Sequence, residues 1–381
     1  MDYSRVALVL GGTNIRTGVI ERPIHARPPI RLSAQQIKFS SVDELLSFCL
    51  TSLHDLSADQ NTVVIAVAGP VDTERGIILK LTNHAAMTYE NIDLGPQLEQ
   101  ALQQRFNREI KVRLINDGEA AGWAEFGPNG ALNDLRPGQV GMALIIGTGI
   151  GGRPYFRGYH GELVPIDGGF EPGHTLMSGS MVQFIQGYVG EAICGCGSRP
   201  SLAGACLESL ASGPAIEQFA RSFLTTKLSD TPSILDEELR TITNDPLIQA
   251  IAERTGQQLY RFGSATFAQQ LINADVTNAL RRTDRSMARE ILEVEATLLA
   301  QRIAAMQRGL DNREQLTFAL VGSIGHFWGP QLVSVIGERL QQIGRPTWGH
   351  ISEVRVGAFP PDETDLRGAL ALTAHYEQRT I

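Results

Sequence analysis

The chain has 381 residues, 43% of them hydrophobic and 19% charged, a composition that excludes disorder and fibrous structure and favours two domains over one core. A formal net charge of −8 argues against general electrostatic attraction to nucleic acid or anionic membrane. It does not exclude a bound anion, because backbone N–H groups and Mg²⁺ act locally.

In chain order, Met1-Asp2-Tyr3-Ser4-Arg5 runs into the apolar Val6-Ala7-Leu8-Val9-Leu10, which is too short and wrongly flanked for a signal peptide. With a Gly-Gly turn and Thr17-Gly18-Val19-Ile20, this reads as a hairpin. Leu45 to Leu53 has helical spacing, and Thr62 to Ala68 is a buried-type strand ended by Gly69-Pro70. Leu94 to Phe106 predicts an amphipathic helix, Val112 to Ile115 a strand delivering Asn116-Asp117, and Glu119 to Phe126 the following helix. The pattern then restarts. Gly141 to Ile146 is a strand, Gly147 to Gly152 a glycine turn, and Tyr155 to Gly158 an outward continuation, so a weak internal duplication is expected. Residues 207–310 are rich in helical pattern, interrupted by an acidic stretch from Ser229 to Asp245. Phe318 to Val321 and Val354 to Val356 are further strands, and Leu366 to Tyr376 is a last helix. Strands alternating with helices predict an α/β chain. The longest apolar runs, Val63 to Val67 and Met142 to Ile146, are strand-sized.

Three constellations carry chemistry. In Gly11-Gly12-Thr13-Asn14-Ile15-Arg16, glycines let backbone N–H groups approach phosphate oxygens, while Thr13, Asn14 and Arg16 add a hydroxyl, an amide and a cation. Alone this reads as a plain hairpin turn; Gly147-Thr148-Gly149 at the equivalent place of a second half favours phosphate. No Gly-Lys-Ser/Thr follows, so it is not a P-loop. Asn116-Asp117 at a strand end suits a general base, with helix N-capping by Asp117 as the plainer alternative. The chain has four cysteines, Cys49, Cys194, Cys196 and Cys206, and the last three with His174 satisfy the ligand set of a structural zinc. That grouping reads as a metal site in a reducing, cytoplasmic setting rather than as a disulfide framework.

These segments together resemble the ROK family of bacterial sugar kinases and repressors, within the hexokinase/actin-like ATPase group. The likeness covers about residues 6 to 216 and 318 to 375. It implies two ribonuclease-H-like α/β domains around a cleft. We expect a small domain over 1–117 with the C-terminal helix from about 366 to 381, and a large one over 118–365 with the zinc-type segment 174–206. It further implies an ATP-dependent hexose kinase in which Asp117 takes the proton of a sugar hydroxyl, the primary one at C6. Gly11, Gly12, Thr13, Asn14, Arg16, Gly147, Thr148, Gly149, Gly322 and Ser323 would face Mg-ATP. Asn83, Asn116, Asp117, Glu171, His174 and Glu208 would meet the sugar, and His174, Cys194, Cys196 and Cys206 would hold zinc. A homodimer is the family default; no nucleic-acid or membrane partner is expected.

The sequence departs from the family in three places. Val9 stands where an Asp usually supports the metal on ATP, Arg153-Pro154 replaces a glycine-rich continuation, and about five extra residues separate Cys196 from Cys206. Two rivals follow: a ROK-type repressor, disfavoured because no helix-turn-helix precedes the first hairpin, and a sugar-binding pseudokinase, motivated by Val9.

Overall fold

The computed structural model describes residues 4–11, 15–21, 30–35, 38–54, 56–81, 89–147, 149–166, 172–178, 204–213, 215, 287–309, 316–343 and 352–379. The chain divides into two compact units. One comprises Met1–Leu135, Gly152–Pro154 and Ala358–Ile381, the other Arg136–Gly151 and Tyr155–Gly357. The division expected after residue 117 falls inside the first unit.

In the first unit, β1 (Ser4–Leu10), β2 (Ile15–Glu21), β3 (Ile30–Gln35), β4 (Thr62–Val67) and β8 (Lys111–Asn116) form a sheet of order β3-β2-β1-β4-β8. β1, β2 and β3 are antiparallel neighbours, whereas β4 and β8 continue parallel to β1. A small separate ladder holds β5 (Val71–Asp72), β6 (Ile77–Leu81) and β7 (Tyr89–Ile92). The unbroken apolar run of β1 is explained by burial on both faces. Val6, Leu8 and Leu10 enter one core with α1 (Val42–Ser52) and α2 (Leu94–Phe106). Ala7 and Val9 point the other way, into a core shared with α3 (Asp117–Phe126) and the C-terminal helix α8 (Thr364–Arg379). Each fully buried aliphatic side chain of this kind contributes roughly 1.5–3 kcal/mol relative to exposure. Where α8 crosses α3, a Cβ on Gly368 would come within 1.6 Å of the Ala120 carbonyl oxygen, so only glycine permits the approach.

In the second unit, β9 (Val140–Ile146), β11 (Pro154–Arg157), β12 (Leu163–Pro165), β15 (Leu316–Val321) and β16 (Glu353–Val356) take the order β12-β11-β9-β15-β16, with β10 (Ile150–Gly151) folded back on β9. Antiparallel β11–β12 lies on one side, and parallel β9–β15–β16 completes the other. The strand path of the first sheet is thus repeated, which is the duplication the glycine turns suggested. The core packs β9 and β15 against α4 (Leu207–Ala211), α5 (Met287–Gly309), α6 (Gly322–Phe327) and α7 (Gly329–Ile343). A short ladder, β13 (Leu176–Ser178) on β14 (Gly204–Cys206), completes the described elements.

Candidate active site

Asn116 ends β8 and caps α3. Its side-chain oxygen accepts from the Gly118 amide at 2.8 Å, and its Nδ2 donates to the Gly69 carbonyl at 2.9 Å. The cap is therefore Asn116, and Asp117 is the first helical residue, half-buried, with Oδ1 accepting from the Gly118 amide at 2.9 Å. A carboxylate in the first turn is favoured by the helix dipole, and a bond to the backbone fixes its plane. Two residues on, Glu119 is pushed above its usual range by burial, which Arg153, 3.9 Å away, partly opposes.

The first glycine turn is described only at Gly11, which is buried. Arg16, on β2, is held within the first unit. Its guanidinium donates to Oδ2 of Asp365 at 2.5 Å and to the Pro361 carbonyl at 3.0 Å, so it ties β2 to the start of α8. Asp365 lies 349 residues away in sequence, and no local signal could have announced it. Val9, fully buried, packs with Leu366, Ala369 and Leu370. An apolar core thus occupies the place the family usually gives to an Asp.

The second unit brings Gly147, Gly149, Glu208, Gly322 and Ser323 together. The Gly147 amide donates to the Gly149 carbonyl at 2.9 Å, tightening the turn, and the Gly213 amide donates to the Gly147 carbonyl at 2.7 Å. The Ile150 amide donates to Oε2 of Glu208 at 3.1 Å. A Cβ on Gly149 would come within 2.7 Å of that same oxygen, so glycine lets the carboxylate sit against the turn. Gly322, at φ +82°, begins α6 where a Cβ would come within 2.6 Å of the Ile146 carbonyl oxygen, and the following Ser323 Oγ lies within 3.9 Å of where a Gly147 Cβ would stand. One hydroxyl, one carboxylate and the turn backbone therefore share a small volume. Gly213 and Ile150 were not expected there.

His174 ends a short 3-10 turn (Pro172–His174) and is exposed, while Cys206 is buried and outside any disulfide. The β13–β14 register, with Leu176 opposite Cys206, brings the two together, and Cys206 Sγ lies 3.6 Å from the His174 carbonyl. Two of the four proposed zinc donors are therefore neighbours. Among the described residues no group of three or more His, Cys, Asp or Glu side chains could hold a metal. Cys49 is no candidate, since it lies in the first unit's core, where burial pushes its thiol up to about 12. Gly12, Thr13, Asn14, Asn83, Thr148, Glu171, Cys194 and Cys196 lie outside the described residues. Among the described residues no helix is long and apolar enough to cross a membrane.

Two mixed sheets of the same strand order, one ending in a capped Asn-Asp and the other carrying a glycine turn braced by a carboxylate, define the actin-like ATPase/hexokinase architecture. The ROK family model matches residues 5–372, and the chain belongs to the ROK family. Among solved structures, a ROK family glucokinase from Streptomyces griseus in complex with glucose and AMPPNP is similar at 18% identity and TM-score 0.64, over 98% of this chain and all of that one (100%). A ROK hexokinase from Thermus thermophilus is similar at 20% identity and TM-score 0.60, covering 100% of both chains. Among curated proteins, the N-acetylmannosamine kinase of Vibrio cholerae serotype O1 is 29% identical over 161 residues, 42% of this chain and 46% of that protein. The N-acetyl-D-glucosamine kinase of Pectobacterium atrosepticum is 27% identical over 220 residues, 55% and 62%. The chain thus spans about half to three fifths of these relatives' length.

Proposed function

We propose that the chain is an ATP-dependent sugar kinase acting on an aldohexose or N-acetylated hexosamine, at the 6-hydroxyl. The observation that supports this best is Glu208 on the Ile150 amide, beside the Gly147–Gly149 turn and Ser323. A carboxylate held by a backbone amide keeps lone pairs for sugar hydroxyls, and turn amides with a serine hydroxyl suit phosphate oxygens. The N-acetylmannosamine and N-acetylglucosamine kinases among the relatives place N-acetylated hexosamines first among substrates to try.

In this reading the hydroxyl proton passes to Asp117, the hydroxyl oxygen attacks the γ-phosphorus, and the bond to the β–γ bridging oxygen breaks, releasing ADP. The protein's task is positioning and charge stabilisation rather than covalent chemistry. Asn116 sets the carboxylate's approach through its cap and its bond to Gly69, and keeps one amide hydrogen for a sugar hydroxyl. Asn83, Glu171 and His174 would add hydroxyl contacts, and Gly11, Gly12, Thr13, Asn14 and Thr148 would meet the phosphates of Mg-ATP. With Val9 in the core, the magnesium would keep phosphate and water oxygens rather than a carboxylate at that position. His174 and Cys206, joined by Cys194 and Cys196, would hold a zinc whose part is to fix the segment carrying Glu208. A homodimer and a cytoplasmic setting belong to the same reading.

Val9 also favours a second reading, a sugar-binding protein of this fold that transfers no phosphoryl group. A coupled ADP-release assay with Mg-ATP over glucose, mannose, N-acetylglucosamine and N-acetylmannosamine separates the two. Sugar-dependent ADP release with at least one supports the kinase; sugar binding with no release with any supports the second reading.

A further inference from the structure

The second unit holds a pocket of about 280 Å³ between β13 and the outer face of α5, whose walls include Thr175, Leu176, Arg302, Arg308 and Ile343. None of these belongs to the glycine turns. Arg302 is half-buried, its Nε is buried without a hydrogen-bond partner among the described residues, and burial pulls its pKa below the usual arginine range. Arg339, on the wall of the neighbouring pocket, shares the unpartnered Nε but donates through its terminal nitrogens to Glu293 at 2.5 Å and to Gln342 at 2.8 Å, whereas among the described residues Arg302 has no ion-pair partner. A desolvated cation without a counter-ion is costly in a folded chain, and an anion arriving from solution removes the cost. Arg308 supplies a second, exposed guanidinium to the same opening. Paired forks of this kind match phosphate oxygens better than point charges do.

We propose that this pocket is an anion site that takes the phosphate group of a small phosphomonoester, and that its occupation is felt at Glu208. Leu176 and Ile343, 69% and 42% exposed, flank the opening and give the ester's carbon skeleton an apolar edge. The route inward is short. The carbonyl of Thr175, on the pocket wall, accepts from the Leu207 amide at 3.0 Å, and the next residue is Glu208, which holds Ile150. An anion that fixes Thr175 therefore stiffens the backbone that carries the carboxylate.

The test titrates the full-length protein with inorganic phosphate and with glucose 6-phosphate, each with and without saturating AMPPNP. It follows binding calorimetrically and amide exchange over residues 204–211 by mass spectrometry. We expect both ligands to bind the AMPPNP-saturated protein, with affinity falling about tenfold or more in Arg302→Gln and less in Arg302→Lys, which keeps the charge but loses the fork. Arg308→Gln, altered at an exposed position, should weaken binding by a smaller factor and serves as the second variant. Equal affinity for phosphate and the ester would assign the site to free phosphate and overturn the ester reading; tighter binding of the ester, which the apolar edge predicts, supports it. The Leu207 amide should exchange more slowly on binding in the wild type and not in Arg302→Gln. Absence of binding, full displacement by AMPPNP, or unchanged affinity in both variants overturns the site, and unaltered exchange overturns the coupling. Failure of the kinase reading would show as AMPPNP not binding, which leaves the arginine comparison intact.

Discussion

Val9 and Arg16 stand directly opposite each other in the β1–β2 ladder, and the guanidinium of Arg16 reaches Asp365 at 2.5 Å. The charge pair is largely buried, with side chains 12% and 11% exposed, and ties the first hairpin to α8. Breaking such a pair from one side leaves an uncompensated charge in the interior, whereas removing both partners does not. Asp365→Ala should therefore destabilise the protein by about 3–5 kcal/mol, and Arg16→Met/Asp365→Ala by clearly less. Urea unfolding of the two single variants and the double variant measures this; equal losses for Asp365→Ala and the double variant would remove the clamp.

Glu295, on α5, is 1% exposed with Oε1 unpartnered, and burial raises its pKa well above the usual glutamate value. Above the ordinary glutamate range the unfolded chain releases this proton while the folded chain keeps it. Stability is thus lost as pH rises towards the raised folded value. Glu295→Gln cannot titrate, so its stability relative to wild type should rise from mild acid to mild alkali. Glu119 and Glu125 are raised by burial too, so the wild-type slope has several sources. Only the difference between variant and wild type, from urea unfolding at a series of pH values, isolates Glu295.

Glu208→Gln keeps the size of the side chain and weakens the bond to the Ile150 amide. If Glu208 meets sugar hydroxyls, the sugar KM should rise by about tenfold to a hundredfold, with the KM for ATP much less affected. Steady-state kinetics with each substrate varied in turn checks it. Equal changes in both KM values would point to a general loosening of the turn.

Cys206 Sγ lies 3.6 Å from the carbonyl of His174, just before β13, and with zinc bound as proposed metal analysis of the purified chain should find about one zinc per molecule. Cys206→Ser should reduce that occupancy and lower the melting temperature. Metal-free protein of undiminished stability would show that the cysteines serve another purpose.

Much of this was legible in the sequence for physical reasons. The run Val6 to Leu10 and its counterpart Met142 to Ile146 are apolar without alternation because both faces of each strand are covered, and glycine turns mark where each sheet doubles back. Asn116-Asp117 was placed correctly at a strand end, but which of the two caps α3 depends on side-chain geometry that composition does not encode. The bond from Arg16 to Asp365 carries no sequence signal, because its partner sits on α8, remote in sequence. Gly213 and the Ile150 amide were missed for a related reason. They act through backbone groups, which every residue owns.

The central claim is that Asp117 accepts the proton of a sugar hydroxyl. Its most direct test is single-turnover phosphoryl transfer from Mg-ATP by the wild type and Asp117→Asn, using the sugar the wild type phosphorylates, with sugar affinity measured in parallel. Asp117→Asn should lose about a hundredfold or more in transfer rate, the scale of general base catalysis, while binding sugar within a few-fold of the wild type. Transfer at the wild-type rate by Asp117→Asn would contradict the account.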